Sequence, residues 1–270
     1  MTDFLDTVIG ERRADVAAAR ARRPLPRVPS SPLTGAGPAR SFADAIAARR
    51  REGRFAVIAE MKRSSPALGA LATDVDPVAL ARAYAAAGAV AISVLTEPRH
   101  WGGSVEDLRA VAAAVDLPVL YKDVVVDEYQ VREARAAGAA AVLLIAEALD
   151  DALLRALVVQ VHALGMTAFA EAHEPAAFDR AVACGARVVG VNARNLRLPS
   201  EIDRGRIETL RSRVRADQLL VAESGIASAE DLAALPARVD AVLVGTALMR
   251  AADPGAVVRS LASVSRAVPA

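Results

Sequence analysis

Lysine is nearly missing from this chain. Of 33 basic residues only Lys62 and Lys122 are lysine, and the other 31 are arginine. Arginine serves wherever a generic positive charge is enough, so a surviving lysine marks a position where arginine will not do. Arginine stays protonated and presents a planar fork, whereas a lysine ammonium is a compact charge whose pKa shifts with its surroundings. A group that must release a proton needs the second kind. An accident of composition is the competing explanation, to be weighed against the neighbourhoods of the two residues. Asparagine is as scarce: Asn192 and Asn195 both fall in GVNARNL. The single cysteine, Cys184 in AVACGA, excludes an internal disulfide framework and a cysteine-cluster metal site, and reads as a core residue. A net charge of +1 gives no broad field for nucleic acid or an acidic membrane surface. No charge-free apolar run is long enough to span a bilayer. The N-terminus, with Asp3, Asp6, Glu11 and then arginines, lacks the apolar stretch of a signal peptide. The expectation is a cytoplasmic globular protein whose 54% hydrophobic content builds a large core.

Beyond residue 55 short apolar runs alternate with Ala- and Leu-rich amphipathic segments, the rhythm of repeated β-α units. Strands are predicted at 56–62, 90–96, 118–123, 140–146, 167–173, 188–193, 219–223 and 241–245. Between them, DPVALARAYAAAGA (76–89) opens with Asp76 and Pro77 at the cap and first-turn positions and closes near Gly88. DEYQVREARAAGA (127–139) and SAEDLAAL (228–235) follow the same grammar. The phrases AAGAV, AAGAA and ACGAR place Gly where a helix ends in a left-handed cap. Eight such units predict an α/β protein, a single (β/α)8 TIM barrel at 56–270 whose functional residues lie at the C-terminal strand ends. An open doubly wound sheet would carry a Gly-rich dinucleotide turn after its first strand, and EMKRSSPALG is not one. Residues 1–55 form an N-terminal helical extension outside the rhythm. Within it 24–40 is a Pro-, Ser- and Gly-rich link and 42–53 a helix, and an extension of this kind can cover one mouth of the barrel.

The strand ends carry the chemistry. The first gives Glu60 and Lys62, two apart and so on one face of the strand. The third gives Lys122-Asp123, the fifth Glu171 and His173, and the sixth Asn192, Arg194 and Asn195. The seventh gives Glu223-Ser224-Gly225 and the eighth Gly245-Thr246. Polar groups on a barrel's inner face cost free energy unless paired. So many on one rim favour catalysis over a structural network. ESGI and VGTAL put Gly beside a hydroxyl after the last two strands, where barrel enzymes often bind phosphate on backbone N–H groups. A phosphorylated substrate of modest size is expected.

The ordered set IAEMKRSSP, LTEPRHWGGS, KDVVVDEYQV, AVLLI, FAEAH, GVNARNL, VAESGI and VLVGTALM resembles the indole-3-glycerol phosphate synthase family of tryptophan biosynthesis, over about residues 56–250. The resemblance implies a barrel with an N-terminal helical segment. It implies a carboxy-lyase that closes the pyrrole ring of 1-(2-carboxyphenylamino)-1-deoxyribulose 5-phosphate with loss of carbon dioxide and water, using no metal or organic cofactor. Lys122 matches the general acid for the ketone oxygen, and Lys62 the partner of the anthranilate carboxylate. Glu171 matches a carboxylate that stabilises positive charge or takes a proton during dehydration. Glu60 and Asn192 match residues that hold the substrate hydroxyls and the lysines, and Glu223 completes the polar ring. Ser65, Ser224, Gly225, Gly245 and Thr246 match the phosphate grip. Trp101, Leu143, Arg194 and Leu196 match further substrate contacts. Val124 stands where the family usually has an aromatic residue. The expected partner is the small phosphorylated anthranilate-ribulose substrate, with no nucleic acid and no membrane, in a monomer or weak homo-oligomer. Two alternatives stay open: another sugar-phosphate barrel enzyme, similar to phosphoribosylanthranilate isomerase, and a non-catalytic phosphate-binding paralogue. The first typically uses a cysteine and aspartate pair, and Cys184 lies far from the first strand.

Overall fold

The structure is a computed structural model that describes residues 3–23, 41–72 and 74–266. The link read at 24–40 lies outside the described residues. In chain order the helices are α1 Phe4–Arg22, α2 Phe42–Arg51, α3 Pro77–Ala86, α4 Val105–Ala114, α5 Glu128–Ala136, α6 Asp151–Ala163, α7 Pro175–Ala183, α8 Gly205–Leu210, α9 Ala229–Ala233, α10 Thr246–Arg250 and α11 Pro254–Ala262. Eight parallel strands alternate with α3 to α11: β1 Ala56–Met61, β2 Ala91–Leu95, β3 Val119–Lys122, β4 Ala141–Ile145, β5 Thr167–Ala172, β6 Val188–Asn192, β7 Leu219–Glu223 and β8 Ala241–Val244. Each pairs with its sequence neighbour, and β8 returns to β1 with Ala56 opposite Ala241, closing the barrel. All eight predicted strands are present. A two-residue hairpin, Ser64–Ser65 against Gly69–Ala70, adds a ledge after β1 that periodicity could not reveal.

Local chemistry explains the boundaries. Asp76 accepts the N–H groups of Val78 and Ala79 at the start of α3, with Pro77 in the first turn. Ser228 and Asp231 form a reciprocal capping box on α9. Gly88, Gly138 and Gly185 hold φ between 95° and 97° at the helix exits, a left-handed conformation that glycine adopts without steric cost. Side chains on both strand faces are buried, as expected where helices wrap a parallel sheet. Among the described residues no helix is long and apolar enough to cross a membrane.

The N-terminal helices serve both ends of the barrel, whereas the sequence suggested a cover for one. α2 closes the N-terminal pole. Its Phe42 ring stands 6.1 Å from that of Phe169 on β5, and Ile46 is fully buried. α1 lies against the opposite mouth, burying Leu5, Val8, Ile9, Arg12 and Val16, a stripe at helical spacing. The arginine run 49–51 ends α2: Arg49 pairs with Glu52, and Arg50 lies 3.4 Å from buried Asp240.

Asp240 is the polar anchor of that pole. It is fully buried and accepts from Arg238 at 2.8 Å, from Arg266 at 2.9 Å and from the N–H of Leu220 at 2.9 Å. Removing one partner of a buried ion cluster strands the others without solvation. Asp240→Ala is therefore expected to cost about 3–5 kcal/mol in denaturant unfolding. In a β/α barrel the N-terminal pole supports stability and the chemistry lies at the other end, so kcat of the folded variant should stay unchanged. A drop in kcat would show that the two poles communicate.

Candidate active site

The C-terminal mouth opens into a cavity of about 440 Å³. All the site residues carried over from the family resemblance line it. Glu60, Lys62, Lys122, Glu171, Asn192 and Glu223 form the polar floor. Ser65, Ser224, Gly225, Gly245 and Thr246 stand along the β1, β7 and β8 side. Trp101, Leu143, Arg194 and Leu196 complete the wall. Two predicted rim residues stay out of it. His173 is buried beside Glu147, 2.9 Å away, and Asn195 bonds Glu201 in the loop after β6.

The floor contains two ammonium groups, each held by carboxylates. Lys62 Nζ bonds Glu60 Oε1 at 2.7 Å, which realises the same-face pairing read from their spacing. Lys122 Nζ bonds Glu171 Oε2 at 3.0 Å and lies 3.3 Å from Glu223 Oε2. Asn192 Nδ2 donates to the other oxygen of Glu171 at 2.9 Å, while its own carbonyl accepts the N–H of Arg194. Strand register sets this up: Asn192 lies opposite Glu223, and Glu171 opposite Gly190.

A lysine with a lowered pKa suits an acid catalyst, but Lys122 is held above the ordinary lysine value. Burial pulls it down, and the carboxylates of Glu171, Glu223 and Glu60 outweigh that pull. The two carboxyls beside it part company. Burial and the nearby Glu171 charge push Glu223 well above the usual carboxylate range. Glu171, despite its burial, is kept below that range by Lys122 and Asn192. Neighbouring like charges cannot both ionise cheaply. The set therefore holds an ammonium beside one carboxyl biased towards ionisation, Glu171, and one biased towards protonation, Glu223, and such a split separates acceptor and donor roles.

Two glycines make room for these groups. A Cβ on Gly245 would overlap Glu60 Oε1 and stand 3.0 Å from Lys62 Nζ. The expectation that Gly245 serves backbone approach to an anion is thus extended: the space its missing side chain leaves is occupied by the Glu60–Lys62 pair. A Cβ on Gly190 would stand 2.5 Å from Glu223 Oε1 and 2.6 Å from the Phe169 ring. Gly225 has φ 73°, and Ser224 before it holds φ 69°, the only positive φ outside glycine among the described residues. Backbone strain of this kind concentrates at ligand clamps.

Sequence reasoning missed several contributors. Phe4 and Leu5 of α1 line the cavity, and Phe4 packs edge-on against His100 and Trp101 at 5.1 and 5.9 Å. Arg204 lies against Gly225 and bonds Asp231. No local motif marks these residues, because the link from 24 to 40 and the β6 loop separate them in sequence from what they touch. Glu97 accepts the N–H groups of Arg99, His100 and Trp101 and so fixes the loop that presents the indole ring. Val124 is a buried wall residue of the same cavity. Among the described residues no group of three or more His, Cys, Asp or Glu side chains is arranged to hold a metal ion.

A closed parallel β/α barrel with a lysine–carboxylate floor at its C-terminal mouth and a Gly-hydroxyl rim beside it defines a barrel enzyme of the small-molecule type. Residues 5–261 match the family model for indole-3-glycerol phosphate synthase. An indole-3-glycerol phosphate synthase of Beutenbergia cavernae is 49% identical over 262 residues, covering 97% of this chain and 95% of the relative. Indole-3-glycerol phosphate synthase 2 of Streptomyces coelicolor is 47% identical, covering 97% of this chain and 99% of the relative. This chain belongs to the indole-3-glycerol phosphate synthase family. More distant solved structures share the fold alone. A ligand-free tryptophan synthase chain from M. tuberculosis aligns with TM-score 0.64 and 16% identity, over 88% of this chain and 100% of that one. The 3-hexulose-6-phosphate synthase of Salmonella typhimurium gives 0.59 and 18%, over 78% and 98%.

Proposed function

We propose that the chain closes the pyrrole ring of 1-(2-carboxyphenylamino)-1-deoxyribulose 5-phosphate to give indole-3-glycerol phosphate, carbon dioxide and water. The observation that carries the reading is the pair of caged ammonium groups on one floor, Lys62 with Glu60 and Lys122 with Glu171 and Glu223. The carboxylate-bearing ring carbon attacks the ketone, and Lys122 delivers a proton to the ketone oxygen as its charge develops. Its raised pKa keeps that proton in place at neutral pH, and the alkoxide that forms is a stronger base than the caged amine. Lys62 neutralises the substrate carboxylate until carbon dioxide leaves. Dehydration expels the new hydroxyl as water with a proton from an acid, and a base takes the proton from the neighbouring methylene. Glu171 is the base and returns the proton it takes to Lys122, 3.0 Å away, while Glu223 is the acid for the departing water and is reprotonated from solvent, which supplies the one proton the overall reaction consumes. Phosphate sits on Ser65, Ser224, Gly225, Gly245 and Thr246, and the aryl ring packs among Trp101, Leu143 and Leu196, with Arg194 on the polar side.

Turnover of the phosphorylated substrate, followed by indole fluorescence, is expected without added metal and in the presence of a chelator. A folded sample that gives no signal would move the reading to the non-catalytic paralogue. The pH profile gives a second check. The Lys122 pKa lies above its ordinary value, so the ammonium form persists as pH rises. The alkaline limb of kcat due to this lysine should then fall above about pH 10, the ordinary lysine range. A lysine-dependent limb near neutrality would contradict the raised pKa.

A further inference from the structure

A buried charge beside the floor that the proposed chemistry does not use belongs to Asp123, the residue after Lys122. Lys122 points into the barrel, and Asp123, one step on, points the other way. The Asp123 side chain is fully enclosed, and Arg12 from α1 grips it as a fork, Nε to Oδ1 and Nη2 to Oδ2, both at 2.8 Å. Arg12 is itself buried, a costly place for a guanidinium without such a partner. Thr96 at the end of β2 holds the same joint twice. Its hydroxyl donates to Asp123 Oδ2 at 2.8 Å, and its N–H donates to the Lys122 carbonyl at 3.0 Å. Tyr121 Oη lies 3.1 Å from Asp123 Oδ2 and 3.3 Å from Glu133 of α5. The other charged groups facing this cluster are Asp15 on α1, 3.4 Å from Arg12, and the buried carboxylate of Glu97. The cluster therefore contains four carboxylates and one buried cation, and that cation comes from the N-terminal helix.

From this arrangement we propose that Arg12 is a positioning residue for Lys122: by neutralising and clamping Asp123 it fixes the end of β3 and keeps an uncompensated negative charge away from the proton donor. The inference rests on the assignment of Lys122 as that donor. It gives α1 a role in the reaction beyond covering the mouth. It also explains why so polar a residue sits in the apolar stripe of α1. Burial already raises the Asp123 pKa even with Arg12 in place. Without Arg12 the carboxyl takes up a proton more readily and becomes a pH-sensitive element next to the site.

The test compares kcat and KM across pH for the full-length protein and for Arg12→Gln, Arg12→Lys, Asp123→Asn and the double variant Arg12→Gln/Asp123→Asn. Misplacement of a catalytic group by a change outside the site costs about tenfold to a hundredfold. Arg12→Gln should lower kcat by that amount at alkaline pH and less at acidic pH, where Asp123 is protonated, with little change in KM. The double variant, free of the stranded charge, should recover most of kcat and lose the pH dependence. Arg12→Lys, which keeps the charge and loses the fork, should fall between. Unchanged kcat in folded Arg12→Gln overturns the inference. So does a loss that the double variant fails to relieve, because that is packing alone. If Arg12→Gln does not fold, the comparison of Arg12→Lys with the double variant carries the same decision. Retained turnover in Lys122→Arg would instead refute the donor assignment, so the two failures are told apart.

Discussion

Lys122→Arg is expected to lose turnover by roughly a hundredfold or more, the scale of general acid catalysis, while substrate affinity changes far less. Charge is conserved in this variant, so the loss isolates the proton and its geometry. Lys122 Nζ fits between Glu171 at 3.0 Å and Glu223 at 3.3 Å on a side chain 13% exposed. A guanidinium is larger, planar and effectively never deprotonated. It would pair with both carboxylates as a fork and hold its protons there. The phosphate side of the cavity lies on other strands and stays intact, so KM should move little. The same exchange at Lys62 should raise KM as well as lower kcat, because that residue is the proposed partner of the substrate carboxylate. Steady-state kinetics of the two variants separates the roles. Near-normal turnover by Lys122→Arg would place proton donation elsewhere and return the two surviving lysines to compositional accident.

Gly245→Ala is the second large effect. The added methyl would occupy the place of Glu60 Oε1 and press on Lys62 Nζ at 3.0 Å. Both are side-chain ends, so the backbone need not move, and the melting temperature should stay close to that of the parent. The pair itself must rotate away, and displacement of a catalytic group by about an ångström costs on the order of a hundredfold. Kinetics should therefore show kcat falling together with affinity. If Gly245 served the phosphate alone, KM would rise and kcat would hold. Gly190→Ala makes a contrasting control. Its methyl would meet the enclosed Phe169 ring as well as Glu223, and overpacking of a buried ring typically costs about 1–3 kcal/mol. That variant should lose stability as well as rate.

The sequence by itself determined the barrel and most of its rim. Strand alternation, helix caps such as Asp76-Pro77 and Ser228, and glycine exits such as Gly88 are local signals, each fixed within a few residues. Scarcity added the rest: Lys62, Lys122 and Asn192 stood out because the chain has so few residues of their types. The Glu60–Lys62 pair was legible for the same reason, since a spacing of two on a strand is a statement about one face. Only the tertiary structure decided how charges from different strands and helices share a site. The elevated Lys122 pKa comes from Glu171 and Glu223, 49 and 101 positions further along the chain. The space at Gly245 is filled by a side chain of β1. The clamp on Asp123 comes from Arg12, 111 residues earlier. Burial and electrostatic coupling depend on separation in space, and closing the barrel brings residues far apart in the chain to the same mouth. No window of sequence contains that separation, so the residues that line the floor were readable while their electrostatics and supports were not.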